Sequence, residues 1–226
     1  MKSSLLILLC AAVFISGFTM QKKKKIIFFG DSITQAGVNT EGYIKRMDSI
    51  LQEHALDKNY ELIGAGISAN KVYDLYLRME TDVMPREPDA VVIFIGVNDV
   101  WHKRTAGTGT DADKFERFYS AIIKKLKEKN VAVYLCTPAA IGERNDFTNP
   151  MDGELNLYAS IIRNLATEHQ CPLIDLRQKF LDHLKTNNPQ NRDRGILTTD
   201  GVHLNRKGNI FVAREMYSVL SQDFIK

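Results

Sequence analysis

Cysteine is scarce in this chain of 226 residues, with three in all: Cys10, Cys136 and Cys171. Cys136 ends the apolar run VAVYLC and Cys171 opens CPLIDL. If these runs are neighbouring parallel strands, the two thiols lie at opposite ends of a sheet. A strand of about five residues spans roughly 17 Å, whereas a disulfide needs Cα atoms within roughly 7 Å. Two free, buried thiols are predicted. A strong excess of one charge is also missing. Lys and Arg total 30 against 27 Asp and Glu, a formal net charge of +3, which is too mild to indicate nucleic acid as a partner. Glycine (14) and proline (6) stay near average usage, which excludes collagen-like and low-complexity chains. With 44% hydrophobic and 25% charged residues, neither a disordered tail nor a polytopic membrane protein fits. What remains is one globular domain with a sizeable core.

The apolar stretch Leu5 to Phe18 falls short of the roughly 20 residues of a membrane span and fits the central region of a secretory signal. Residues 1–20 are therefore read as an export leader and 25–226 as the folded domain, with Cys10 leaving with the leader. Cys10 follows Leu9 rather than a small residue, which argues against lipoprotein cleavage there. Lys22 to Lys25 place positive charge after the apolar run, so an uncleaved N-terminal anchor is the alternative.

Beyond Lys25, apolar runs alternate with amphipathic segments. Strands are predicted at Ile26–Phe29, Tyr60–Ile63, Ala90–Ile95, Val131–Leu135 and Leu173–Ile174. Helices are predicted over 42–54, 72–79, 112–129, 155–169, 176–184 and 206–222. In the third of these, Phe115, Phe118, Ile122 and Leu126 share a face. Uninterrupted apolar strands are buried on both sides, as in a parallel sheet covered by helices. The alternation predicts a doubly wound, three-layer α/β/α domain with a mainly parallel sheet of about five strands. Ligands of such sheets bind beyond the carboxyl ends of the strands.

Four segments sit at such ends or just before the last helix: GDSIT (30–34), GAGIS (64–68), GVND (96–99) and DGVH (200–203). Together they hold the parts of an ester-cleaving site. Ser32, on a tight turn after a buried strand, is the candidate nucleophile. His203 is the candidate base, since imidazole titrates near neutrality. Asp200, three positions earlier, can orient that ring. The bland readings are helix capping by Ser32, Asp31 or Thr34, and loop stabilisation by Asp99. Gly66-Ile67-Ser68 fails the G-x-S-x-G pattern because Asn70 takes its fifth place, so Ser68 is read as a loop residue. Asp200 and His203 could form half of a metal site, but no third ligand stands nearby.

In family order, these four segments resemble the sequence blocks of the SGNH hydrolases, also called GDSL esterases and lipases, over about Lys25 to Lys226. The resemblance implies a flavodoxin-like sheet and a Ser32–Asp200–His203 triad. It also implies an oxyanion hole built from the Ser32 and Gly66 backbone N–H groups and the Asn98 side chain. No metal or organic cofactor is implied. The second block departs from the family pattern, holding Gly64 and Ala69 where Asn and Gly are usual.

Trp101 and His102 follow Asn98 and are expected at the rim as substrate contacts, the indole offering a face to a sugar or acyl chain. Lys103–Asp113 reads as a mobile loop beside the site. The segment Ala139–Gly153 should also reach the rim, with Arg144 or Asn145 touching substrate. His54, His169 and His183 are expected at the surface. The resulting expectation is an exported serine esterase acting on a small acyl ester, an acetyl group on a carbohydrate first. The partner is a small acylated substrate, neither nucleic acid nor, after leader cleavage, a membrane. A lysophospholipase or thioesterase for longer chains and a catalytically silent glycan-binding module are the alternatives.

Overall fold

The computed structural model describes residues 22–226; the leader and Cys10 lie outside the described residues. Five strands, β1 (Lys24–Gly30), β2 (Tyr60–Gly66), β3 (Ala90–Phe94), β4 (Ala132–Cys136) and β5 (Leu173–Ile174), form one sheet in the order β2-β1-β3-β4-β5. Every neighbouring pair is parallel. Ile26–Phe29 and Ala90–Val92 are fully buried, as expected where helices cover both faces.

Among the described residues eight α-helices complete the domain: α1 (Ser32–Gly37), α2 (Tyr43–Glu53), α3 (Val72–Asp82), α4 (Val97–Ala106), α5 (Ala112–Glu128), α6 (Asp152–Glu168), α7 (Leu176–Asn187) and α8 (Arg206–Asp223). On one side α2 packs on α8, and α8 meets α7 through Phe211 and Phe180, whose rings lie 5.5 Å apart. On the other side α3, α5 and α6 pack in a row. α5 buries Phe115, Tyr119, Ile122, Ile123 and Leu126. Phe118 leaves that stripe and packs against Tyr76 of α3 at 5.4 Å.

The chain winds outward from β1 to β2, then crosses back to β3 on the other side of β1. β1 and β3 are therefore adjacent, with Gly30 beside Phe94, and their following segments diverge around a crevice. That switch point is where doubly wound sheets place ligands, and it lies between Ser32 and Asn98. Cys136 and Cys171 are free and buried, at opposite ends of the β4–β5 pair.

Three expectations fail. Lys103–Asp113 is not one long loop: α4 continues to Ala106 and ends at Gly107, whose φ of 66° suits glycine. The segment lacks an apolar period because α4 buries residues only in its first turns, Val97 to Val100. Lys103 then ties it down by ion pairs to Asp111 (3.2 Å) and Glu154 (3.1 Å). His169 is not a surface residue, since its side chain is 10% exposed and its Nε2 lies 2.9 Å from Ser120 Oγ, joining α6 to α5. His183 is half-buried against Phe211. His54 does lie at the surface, stacked on Tyr217.

Candidate active site

The turn after β1 separates capping from chemistry. Asp31, not Ser32, is the N-cap of α1, its Oδ1 accepting the Ile33 N–H at 3.0 Å. Thr34 is buried, and its hydroxyl accepts from Tyr43. Ser32 Oγ is left free of local duties and lies 2.9 Å from His203 Nε2. His203 Nδ1 lies 2.7 Å from Asp200 Oδ2. The other carboxylate oxygen of Asp200 accepts the backbone N–H groups of Val202 (2.9 Å) and His203 (2.8 Å). One short turn thus fixes the carboxylate to the ring it orients. Partial burial pushes the Asp200 carboxyl up, but these bonds and the His203 ring outweigh it and hold it below the usual carboxylate range.

Gly66 shows why the second block needs glycine. A Cβ there would stand 2.1 Å from the Gln35 nitrogen and 2.6 Å from the Asp31 carbonyl oxygen, so β2 could not lie against the start of α1. Ser68 is exposed, its N–H donating to Gln35 Oε1. Ala69, where the family pattern has glycine, adopts φ 64°, a conformation that costs alanine more than glycine. Asn98 is 3% exposed and donates one amide hydrogen to the Asn70 carbonyl at 3.1 Å. That bond orients the amide while its second hydrogen stays available.

Trp101 is half-buried on α4, its ring 6.3 Å from the His203 ring and 5.7 Å from that of His102. Partial burial, followed by the charge of Lys71, lowers the pKa of His102. Asn145 is a correction: its side chain donates to the Leu184 and Asn188 carbonyls and is committed to structure. Arg144 lines a cavity of about 390 Å³ against α7, with Phe147, Gln178 and Lys185, that includes none of Ser32, Asp200 or His203. Sequence reasoning missed Arg177, which is 2% exposed and bonds Asp152, Asn156 and the Ala139 carbonyl. It supports the segment after β4, and nothing local in a helix-start arginine signals this. Among the described residues no group of three or more His, Cys, Asp or Glu is placed to hold a metal ion.

Asp99 does not merely brace its own loop. It is fully buried on α4, and its Oδ1 accepts the Val72 N–H at the start of α3 (3.1 Å), while Oδ2 finds no partner among the described residues. Burial pushes its pKa up to about 7, and likewise that of Asp31 to about 6. Both folded-state values exceed the unfolded ones. The stability contributed by the neutral forms is therefore full below about pH 4 and is lost as pH rises through about 6 and 7. Asp99→Asn keeps the acceptor for Val72 without a charge to bury. Urea unfolding at pH 5 and pH 8 is expected to show a smaller loss at pH 8 for the variant, by roughly 1–4 kcal/mol. An unchanged pH slope would contradict the assignment.

The GDSL-like lipase/acylhydrolase family model matches residues 28–209. The chain belongs to this family. It is an SGNH hydrolase and a serine-type carboxylic ester hydrolase, with the five-stranded parallel sheet of its solved relatives. A solved acetyl xylan esterase is 61% identical, covering 86% of this chain and 98% of its own, with a TM-score of 0.85. An acetylxylan esterase from Geobacillus stearothermophilus is 28% identical over 218 residues, 90% of this chain and 96% of that protein. Two structures described as catalytic mutants of an acetylxylan esterase from Geobacillus stearothermophilus, one serine-to-alanine and one histidine-to-alanine, are 25% identical. They cover 91% of this chain and 98% of theirs, with a TM-score of 0.78.

Proposed function

We propose that this SGNH hydrolase removes acetyl groups from acetylated xylan fragments through an acetyl-Ser32 intermediate. The observation that carries the reading is the 2.9 Å approach of Ser32 Oγ to His203 Nε2, backed by Asp200 at 2.7 Å. Ser32 attacks the acetyl carbonyl while Nε2 takes its proton. The oxyanion that forms is met by the Ser32 and Gly66 N–H groups and the free amide hydrogen of Asn98. His203 then protonates the departing sugar hydroxyl, and water activated by the same ring releases acetate. Trp101, whose ring lies 6.3 Å from that of His203, would offer its indole face to the sugar. The similarity to acetylxylan esterases supports the substrate class.

Residues 1–20 are proposed to direct export, leaving 25–226 as the working domain. Among the described residues no helix is long and apolar enough to cross a membrane.

Acetate release from acetylated xylo-oligosaccharides, alongside nitrophenyl esters of increasing acyl length, tests the proposal. Acetate is expected from the oligosaccharides, with kcat/KM falling at least ~10-fold from acetyl to butyryl esters. Rising activity with chain length would instead establish a lipase or thioesterase. Absence of any turnover would leave a glycan-binding module.

A further inference from the structure

Glu143 is fully buried, and no Lys, Arg or His forms an ion pair with it among the described residues. Its carboxylate instead accepts three successive backbone N–H groups: Ile196 on Oε2 at 2.7 Å, and Leu197 and Thr198 on Oε1 at 2.7 and 2.6 Å. A buried charge without a counter-ion needs such donors to replace its lost hydration.

The three residues it holds open the segment that carries Asp200 and His203. That segment closes on itself. Thr198 bridges Leu204, the Asn205 N–H donates to the Leu197 carbonyl (2.9 Å), and the Gly201 N–H donates to Thr198 Oγ1 (3.0 Å). The Asp200–His203 bond lies wholly within it, whereas Ser32 belongs to the far side of the crevice. Internal bonds can therefore preserve the acid–imidazole pair without fixing its distance from the serine. Attachment to the rest of the domain sets that distance. Glu143 and its neighbour supply much of it: the Gly142 N–H donates to the Gly201 carbonyl (2.8 Å), and the Glu143 N–H to that of Asp193 (2.9 Å). Asn188 at the end of α7 braces them, donating to the Glu143 carbonyl at 2.8 Å.

We propose that Glu143 is a positioning residue, whose carboxylate clamps the 196–198 backbone so that His203 Nε2 stays within proton-transfer distance of Ser32 Oγ. The proposal rests on the Ser32–His203–Asp200 reading above. Charge and length both matter. Gln has one acceptor oxygen, so its amide hydrogens must face either the Ile196 N–H or the Leu197 and Thr198 pair. Asp keeps the charge but falls one methylene short.

The test measures kcat, KM and the rate of Ser32 phosphonylation by a fluorophosphonate for Glu143→Gln and Glu143→Asp, with folding checked by circular dichroism. A displacement of about 1 Å at a catalytic group costs on the order of 100-fold. Glu143→Gln is expected to lower kcat and the phosphonylation rate about that much, with KM changed less than ~3-fold. Glu143→Asp should fall between it and the parent, and it decides the matter if the glutamine variant does not fold. A folded variant with lower thermal stability but parental kcat and phosphonylation rate would overturn the proposal and leave Glu143 a structural residue. Ser32→Ala serves as the control. Full activity in that variant would overturn the triad reading itself, whereas an inactive Ser32→Ala beside unaffected Glu143 variants would sink only the clamp.

Discussion

Replacing Ser32 by alanine is expected to lower kcat by at least about 10⁴-fold while leaving the fold intact. The fold survives because Asp31 caps α1, and among the described residues the Ser32 hydroxyl makes its one hydrogen bond to His203. Only the oxygen proposed to attack the ester is lost. The donors proposed for the oxyanion and the Trp101 face remain, so the variant should still bind acetylated oligosaccharide with little change in affinity. Any slow residual hydrolysis would come from water held in the same site. Steady-state kinetics with a parallel unfolding curve tests both halves. Near-parental kcat in a folded Ser32→Ala protein would mean that another group attacks the ester.

Asp200→Asn should cost about 10⁴-fold in kcat, the scale seen when this third member is neutralised in the serine-histidine-aspartate template. The reason lies in proton bookkeeping. Asp200 Oδ1 accepts two backbone N–H groups, a task an amide oxygen can keep, so the turn should hold. The amide nitrogen then faces His203 Nδ1 and must donate to it. Nδ1 becomes the acceptor, the ring proton moves to Nε2, and Ser32 meets a donor where it needs a base. Unfolding curves should be close to the parent's while kcat collapses. A loss below tenfold would show that something other than Asp200 fixes the tautomer.

Much of this was legible in the sequence because the informative residues sit beside strong local signals. The runs at Ile26–Phe29 and Ala90–Ile95 could only be buried strands, and the blocks that follow them had to reach the carboxyl edge. Once the strand order is known, Ser32 and Asn98 are neighbours across the switch point. Asp200 and His203 were readable as a pair through their spacing alone. What escaped was long-range. Glu143 reads as a loop carboxylate, solvated by default, and its partners lie more than fifty positions along the chain. Arg177 and His169 look like surface residues of amphipathic helices until the packing of α6 encloses them. The end of helix α4 reads as loop from Lys103 onward because its buried residues are confined to the other end. Asp99 reads as bracing its own loop, whereas the backbone its side chain supports belongs to another helix.

The most direct measurement is stoichiometric labelling of the parent protein with a fluorophosphonate, followed by peptide mass spectrometry and residual esterase assay. One phosphonyl group per chain on the peptide containing Ser32, with activity lost in step, is the expected result. Esterase activity persisting in fully labelled protein, or the label settling on another serine as activity disappears, would contradict the account.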